Sequence, residues 1–301
     1  MNNSKKNKYT RLIFAVVVLF VIDYAGHRML KYGLDKGMGL NEHSKVLIIG
    51  HSQLMMGLDK SLMEKELKCK VTKHTRTGVG IGVRMMMTDM YVDSEYSDSL
   101  ECVVLAVDPF SFNDEGLSEN SFMLFYPWMD DPYVGRFIHE STDEVTYWGH
   151  KIFRLSRYSD DLIKQSFRGW SNDDRNYKTS ILTDDIYERG KDKWRRPIKF
   201  DRTLMQNLEE TILHITSKGI SVVLLQSPSY YKLTETQQEN YKKIEAYFRS
   251  LADKSPLVEF IDYDKLYNRQ SHLFFDPLHL NVEGQKLMTN RLTNDIKKMI
   301  K

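Results

Sequence analysis

The chain of 301 residues has a nearly even charge, with 43 Lys plus Arg against 41 Asp plus Glu and a formal net charge of +2. Its composition, 41% hydrophobic and 28% charged, is typical of a globular protein and excludes a disordered chain, a collagen or a protein with many membrane spans. Two cysteines exclude a disulfide-framed mini-protein and a cysteine-rich zinc module. The length allows one large domain or two smaller ones, and folding must depend on a hydrophobic core.

The first 22 residues differ in charge from the rest of the chain. They contain four basic residues and no acidic one, so they carry +4 and leave 39 basic against 41 acidic residues, a balance of −2, for the remainder. Within this segment, an apolar run of 11 residues at 12–22 directly follows the last basic residue. A basic flank of this kind keeps the N-terminus in the cytoplasm. We predict a cytoplasmic tail at residues 1–8, a signal anchor at 9–25 and an exported domain at 26–301. A cleaved signal peptide and a buried N-terminal helix or strand are the alternatives.

Strand-like and helix-like segments alternate from residue 45 onward, which is the order that builds a parallel sheet covered by helices. We predict strands at residues 45–49, 69–74, 102–107, 222–226 and 258–262. Apolar residues at helical spacing predict helices at 54–67, from about 82 to 96, and at 204–215, 235–251 and 282–300. The predicted fold is a three-layer α/β/α, flavodoxin-like domain with a parallel five-stranded sheet in the order 2-1-3-4-5, preceded by a transmembrane helix.

A long segment without strand signals, residues 111–202, interrupts this order after the third strand. Such an insertion would start at the sheet edge where the strands end, so it could form a helical cap over a binding site. It contains every tryptophan of the chain: Trp128, Trp148, Trp170 and Trp194. Most of these aromatic residues fit the core of the insertion itself, while one or two facing the cleft could stack on a sugar ring.

Two separated motifs carry residues suited to acyl transfer. Ser52 follows the first strand within Gly50-His-Ser and begins a helix, so its hydroxyl would lie at the carboxyl edge of the sheet and its amide could stabilise an oxyanion. The second motif, Asp276-Pro-Leu-His279, lies between the last strand and the last helix, at the same edge. His279 can therefore approach Ser52 as its general base, with Asp276 orienting the imidazole.

These motifs, with Gly57 five residues after Ser52 and Gly284 five residues after His279, resemble the first and last sequence blocks of the SGNH/GDSL hydrolase superfamily. The resemblance covers about 200 residues and implies a Ser-His-Asp triad that hydrolyses or transfers acyl esters. With a membrane anchor and a diverged first block, the chain is similar to DltD-type and alginate-acetylation-type proteins, which serve cell-envelope polymers.

The resemblance implies an extracytoplasmic esterase or O-acyltransferase that needs no cofactor. The expected substrate is an acylated polysaccharide or glycan, the expected anchor is the membrane, and a membrane acyltransferase is a candidate partner. The balance of −2 outside the anchor gives no reason to expect nucleic acid. Because the nine histidines include no His-Glu-x-x-His motif and no paired ligands on one helix, no metal site is predicted either.

The chain departs from the family pattern in the first and third blocks. His51 stands where the family usually has Asp, and the family's Gly-x-Asn turn after the third strand is replaced by a segment in which Asn113 is the candidate asparagine. The second-block glycine could be Gly78 or Gly80. The candidate oxyanion hole thus consists of the Ser52, Gly78, Gly80 and Asn113 groups. The alternative function is a catalytically inactive SGNH-like fold that binds polymer or scaffolds an acylation complex.

Overall fold

The computed structural model describes residues 3–115 and 117–300, which fold into two compact units. The first unit contains the chain up to Gly37 together with Phe122–Asp173, and the second contains Met38–Ser121 together with the chain from Asp174 onward. The helices are α1 Asn3–Met38, α2 Ser52–Gly57, α3 Lys60–Leu67, α4 Ile81–Val92, α5 Pro132–Ser141, α6 Glu144–Ile152, α7 Asp160–Trp170, α8 Asp184–Trp194, α9 Arg202–Ser217, α10 Gln238–Asp253, α11 Asp264–Tyr267 and α12 Val282–Ile296. The strands are β1 Val46–Gly50, β2 Val71–Thr75, β3 Cys102–Val107, β4 Ser221–Gln226, β5 Val258–Asp262, β6 Phe274–Asp276 and β7 His279–Leu280.

The second unit is built on a parallel five-stranded sheet in the order β2-β1-β3-β4-β5, which confirms the predicted fold class and strand order. The strands β3 and β5 have the predicted bounds, and the other three shift by one or two residues. Every residue of β1, β2 and β3 is buried. The continuous apolar runs of β1 and β3 form central strands because helices cover both faces of the sheet, whereas β2, with the sequence Val-Thr-Lys-His-Thr, is an edge strand.

Alternate residues of the strands pack against different helices. On one face Ile48, Val104 and Val223 share a hydrophobic core with Met288 and Leu292 of α12. On the other face Ile49 and Leu105 line a small apolar space together with residues of α4 and α9. Since parallel strands all end at the same edge, this packing brings the segments after β1, β3 and β4 together there.

The predicted single helix at 54–67 is two helices, with a break at Leu58 and Asp59. Leu58 has an extended backbone, and the Asp59 side chain accepts a hydrogen bond from the Leu62 amide at 3.0 Å as the N-cap of α3. The buried Lys73 ammonium of β2 donates to the carbonyl groups of Met55 and Leu58, at 2.9 and 2.6 Å, where α2 ends. The break therefore results from a capping residue and a buried cation that both act on the same turn.

The first unit is built on α1, a helix of 36 residues that is long and apolar enough to cross a membrane by length and composition. The apolar residues 12–22 are exposed, whereas the C-terminal part of α1 packs against residues 122–173. A Cβ atom added to Gly169 of α7 would overlap the carbonyl oxygen of Gly33. The indole of Trp128 donates to the Asp35 carboxylate at 2.7 Å.

The predicted insertion 111–202 is divided between the two units. Its residues 122–173 form α5, α6 and α7 in the first unit, and its residues from Asp174 onward, including α8, belong to the second. The tryptophans differ in environment, because Trp128 is buried at 2% exposure while Trp148 and Trp170 are 55% and 43% exposed. Trp194 is partly buried against the core of the second unit.

Candidate active site

The second unit brings the two predicted motifs together at the carboxyl edge of its sheet. Ser52 is the first residue of α2 and follows β1 after one intervening residue, His51. Asp276 ends β6 and His279 begins β7, in a short antiparallel hairpin that precedes α12. The hairpin was not predicted from the sequence, because strands of two and three residues carry too little periodicity to be recognised.

Ser52, His279 and Asp276 form a continuous chain of hydrogen bonds. The His279 Nε2 atom lies 2.8 Å from Ser52 Oγ, and Nδ1 lies 2.9 Å from both carboxylate oxygens of Asp276. A carboxylate can only accept, so Nδ1 carries the imidazole proton and Nε2 presents a lone pair to the serine hydroxyl. Ser52 Oγ therefore donates to His279, which is the arrangement that general-base activation of a nucleophile requires.

Backbone amides fix the Asp276 carboxylate within the hairpin. Asp276 Oδ1 accepts from the amides of Leu278 and His279, at 2.8 and 2.9 Å. The same short loop thus holds both the acid and the imidazole, because three residues of separation let Asp276 pair with His279 across the hairpin. The Asp-x-x-His spacing in the sequence has its physical reason in this turn.

The outer face of the His279 imidazole is covered by an aromatic ring. Phe275 stacks on His279 with 5.6 Å between the ring centroids and 13° between the planes. The ammonium of the exposed Lys178 lies 5.7 Å from the Phe275 centroid, which is a cation–π distance. The stack restricts rotation of the imidazole and leaves His279 and Asp276 partly accessible, with side chains 19% and 22% exposed.

His51, the residue that departs from the family pattern, is paired with Asp108 just beyond β3. His51 Nδ1 accepts from the Gln53 amide at 3.2 Å, so the imidazole proton is on Nε2, which donates to Asp108 Oδ2 at 2.8 Å. Burial lowers the pKa of His51, and the hydrogen bond to Asp108 offsets this only in part. His51 is therefore a neutral ring that caps α2 and joins the ends of β1 and β3.

Asp108 is a site residue that the sequence analysis did not identify. Its carboxylate accepts from the Phe110 amide at 2.7 Å and from the Ser111 hydroxyl at 3.2 Å as well as from His51. Burial alone would raise its pKa, but the hydrogen bond from His51 and the positive charge of Arg84 outweigh burial and hold the pKa below the usual range. Its position directly after β3, on the edge that carries Ser52, was the signal that could have revealed it.

The side-chain amide of Asn113 is engaged with the backbone. Its Nδ2 atom donates to the Pro197 carbonyl at 2.9 Å and its Oδ1 atom accepts from the Glu115 amide at 3.0 Å. The side chain is 3% exposed. Asn113 thus joins two backbone segments, and this geometry gives no support to its predicted catalytic role. An Asx turn uses the same residue type near a strand end, and the oxyanion role of Asn113 stays a prediction.

Gly78 and Gly80 precede α4, on the turn that follows β2. Gly78 has a φ of +70°, which a residue with a side chain adopts at a cost. Gly80 is the N-cap residue of α4, and a Cβ atom there would overlap the Asp114 carboxylate. Both glycines allow a close backbone approach, and the structure favours neither as the second-block glycine.

The described part of the chain contains no cluster of three or more His, Cys, Asp or Glu side chains arranged to hold a metal ion. A scan against protein-family models gives no match. A search of curated proteins gives none either.

A search of solved structures finds several chains to which this one is similar in fold. One is the C-terminal catalytic domain of peptidoglycan O-acetyltransferase A from Streptococcus pneumoniae, at 13% identity and a TM-score of 0.40, covering 86% of this chain and 95% of that one. A Desulfitobacterium hafniense protein described as a lipolytic protein of the G-D-S-L family has 11% identity and a TM-score of 0.42, covering 83% of this chain and 97% of that one. A lipase from a goat rumen metagenome has 13% identity and a TM-score of 0.38, covering 83% of this chain and 95% of that one. This likeness concerns the fold, and the function rests on the side chains of the site.

Proposed function

We propose that this chain is an SGNH/GDSL-type, serine-dependent acyl ester hydrolase or O-acyltransferase. We further propose that α1 anchors it outside the cytoplasm and that it acts on an acylated carbohydrate or cell-envelope polymer. The single observation that carries the proposed chemistry is the hydrogen-bonded chain from Ser52 Oγ through His279 to Asp276, with 2.8 and 2.9 Å between the paired atoms.

The geometry supports a two-step acyl transfer. Ser52 Oγ attacks the acyl carbonyl while His279 Nε2 takes its proton, and Asp276 stabilises the imidazolium that forms. Collapse of the tetrahedral intermediate breaks the ester bond, and His279 returns the proton to the leaving alkoxide. A water molecule or a sugar hydroxyl, deprotonated by His279, then attacks the acyl-enzyme. The bond between the acyl carbon and Ser52 Oγ breaks, His279 returns the proton to Ser52 Oγ, and the acid or the new ester is released. The Ser52 amide, with that of Gly78 or Gly80, would hold the oxyanion.

The proposal is tested by labelling the purified full-length protein with a fluorophosphonate probe, which phosphonylates activated serines. The wild type should be labelled, and Ser52→Ala should not. Ser229→Ala is a matched control, because Ser229 follows β4 at the same sheet edge and its hydroxyl pairs with Asp264 at 3.2 Å. Equal labelling of wild type and Ser52→Ala, or no labelling of either, would show that this mechanism is wrong.

A second candidate function is a catalytically inactive fold that binds polymer or scaffolds an acylation complex. Two observations favour it. Asp108, just after β3, is a carboxylate that only accepts hydrogen bonds and so gives none to an oxyanion, and the Asn113 amide already donates to the Pro197 carbonyl. This alternative expects Ser52→Ala to leave polymer acylation in cells unchanged. Loss of acylation in Ser52→Ala cells that contain normal amounts of the protein would exclude it.

The proposed location rests on the charge of +4 before the apolar part of α1 and is tested by fusions to the C-terminus. Alkaline phosphatase folds outside the cytoplasm and β-galactosidase inside it, so we expect an active phosphatase fusion and an inactive galactosidase fusion. The reverse pattern would place the candidate active site in the cytoplasm.

A further inference from the structure

The helix α6 of the first unit exposes its apolar side. Val145, Trp148 and Ile152, spaced at i, i+3 and i+7, are 84%, 55% and 49% exposed, and Phe153 at the end of the helix is 57% exposed. Residues at these spacings lie on one face of a helix. We call these four side chains the α6 surface.

Two polar residues of α6, His150 and Lys151, instead bond to other parts of the unit. Lys151 donates to the Met129 carbonyl at 2.7 Å and to the Asp130 carboxylate at 2.9 Å, and His150 Nδ1 lies 2.8 Å from Ser156 Oγ. A surface helix in water has the opposite arrangement, with its apolar stripe against the core. The apolar face of α6 is therefore turned away from the core of the unit.

The α6 surface is continuous with the apolar part of α1. The Phe153 ring stacks on Phe20 of α1, with centroids 6.0 Å apart and planes 11° apart. Asp23 accepts from the amides of Arg154 and Leu155 at 2.9 and 2.8 Å, which fixes the chain that leaves α6 against the turn of α1 where residues 12–22 end. If α1 spans the bilayer, this turn lies at the boundary between lipid and water.

We propose that the α6 surface inserts into the interface of the bilayer that α1 spans, at the level of the lipid headgroups and the first carbons of the acyl chains. The inference rests on the proposed membrane anchoring. Lipid fits this surface because aromatic and aliphatic side chains lie next to the lipid-facing run, as in interfacial helices and aromatic belts. Glu144, whose carboxylate accepts from the Trp148 indole at 2.9 Å, forms the polar rim.

The test places single nitroxide labels on the full-length protein in vesicles of phosphatidylethanolamine and phosphatidylglycerol, with no other protein present. A Cys69→Ala background removes the half-buried thiol, while Cys102 is buried in the core and out of reach of the reagent. Fluorophosphonate labelling of each variant shows that the second unit is folded. Relaxation by oxygen, which concentrates in lipid, is compared with relaxation by a water-soluble nickel chelate.

Four labelled positions separate the possible results. Val145→Cys and Ile152→Cys report on the α6 surface, and Leu19→Cys in the apolar run reports on anchoring. Phe167→Cys is the matched control, because Phe167 is 59% exposed on α7 next to Ser166, which bonds to the Leu30 carbonyl. Leu30 is about 15 Å along α1 from Phe20 at 1.5 Å per residue, so this control should lie in water.

We expect labels at residues 19, 145 and 152 to relax faster with oxygen than with nickel, and a label at 167 to show the reverse. If residues 145 and 152 behave like 167 while 19 stays in lipid, the inference is wrong, and a protein partner becomes the occupant to seek. If 19 is also in water, the anchoring is wrong together with the inference. Fluorophosphonate labelling is unaffected in either case, so the proposed chemistry is judged separately.

Discussion

The His51 imidazole and the Asp108 carboxylate form a hydrogen-bonded pair, with 2.8 Å between Nε2 and Oδ2, that joins the carboxyl ends of β1 and β3. Because Ser52 directly follows His51, the pair fixes the backbone that carries the candidate nucleophile. Neither residue belongs to the hydrogen-bonded chain of Ser52, His279 and Asp276, so we regard both as positioning residues.

We expect His51→Ala and Asp108→Asn each to lower kcat by about tenfold to a hundredfold, because losing one buried hydrogen-bond partner costs about 1–3 kcal/mol and each 1.4 kcal/mol corresponds to a factor of ten. KM should change little, since neither side chain is placed to bind substrate. The double variant should be about as slow as the worse single variant. Steady-state kinetics on a chromogenic acetate ester measures this, and losses that multiply would show that the two residues act separately.

Asp276→Asn should lower kcat by roughly a thousandfold or more while the protein stays folded, because an amide at this position no longer selects the imidazole tautomer that activates Ser52. The chromogenic ester assay and the rate of fluorophosphonate labelling should fall together. Asp295→Asn is the control, since Asp295 accepts from the Tyr263 hydroxyl at 2.7 Å outside the triad. A loss of less than tenfold in Asp276→Asn would exclude an orienting role.

Lys73→Met should destabilise the second unit by about 2–4 kcal/mol, because it removes a buried cation from the Asp174 carboxylate and from two helix-end carbonyls. The Lys73 side chain is 3% exposed and the partner is 27% exposed, which places the expected loss below that of a fully buried pair. Urea unfolding measures the change. Lys298→Met, which breaks an exposed pair with Glu259, is the control and should cost less than about 1 kcal/mol.

Gly78→Ala should reduce both stability and rate, whereas Gly219→Ala should reduce stability alone. Both glycines have a positive φ, +70° and +76°, so each alanine costs about 1–2 kcal/mol of backbone strain. Gly78 lies on the turn that could supply an oxyanion donor, and a shifted donor typically costs about a hundredfold in kcat. If Gly78→Ala keeps the wild-type kcat, the turn does not contribute to the oxyanion hole.

The buried His74 of β2 should make the fold sensitive to acid. Burial, with the nearby Arg76 charge, lowers its pKa from 6.5 to about 3. The unfolded chain therefore binds a proton that the folded chain does not. As pH falls from 6.5 to 3, the free energy of unfolding decreases by up to about 1.4 kcal/mol per pH unit. His74→Gln should show a shallower loss of unfolding free energy between pH 6.5 and 4.5 than wild type. Ser52→Ala should keep the wild-type slope, and equal slopes in His74→Gln and wild type would contradict the prediction.

The sheet could be predicted because its three central strands, β1, β3 and β4, are short apolar runs and the chain alternates between strand and helical patterns. The run Cys102–Val107 reads as a buried strand without further information, and the strand order follows from the handedness of the crossovers. The same topology places Ser52 and His279 at one edge. A correct prediction of the fold class therefore also predicts that the two motifs lie close together.

What the sequence could not reveal depends on contacts between distant residues. The break between α2 and α3 involves Lys73, whose other partner, Asp174, is 101 residues away. Asp108 resembles any turn-forming aspartate until His51 is seen beside it, and Asn113 resembles a donor until its amide is seen bound to Pro197. Each case needed the identity of a side chain's partner, which residue type alone does not supply.

The packing of α1 against residues 122–173 limits where the chain can be shortened. Truncation at Met38 would remove Asp23, Gly33 and Asp35 and leave the buried indole of Trp128 without its acceptor. A fragment that starts near residue 22 would keep these contacts and lose the exposed apolar run. Crystallisation without detergent should therefore begin from that fragment. A protease that releases the protein from the membrane with its first unit folded has to cleave before Asp23.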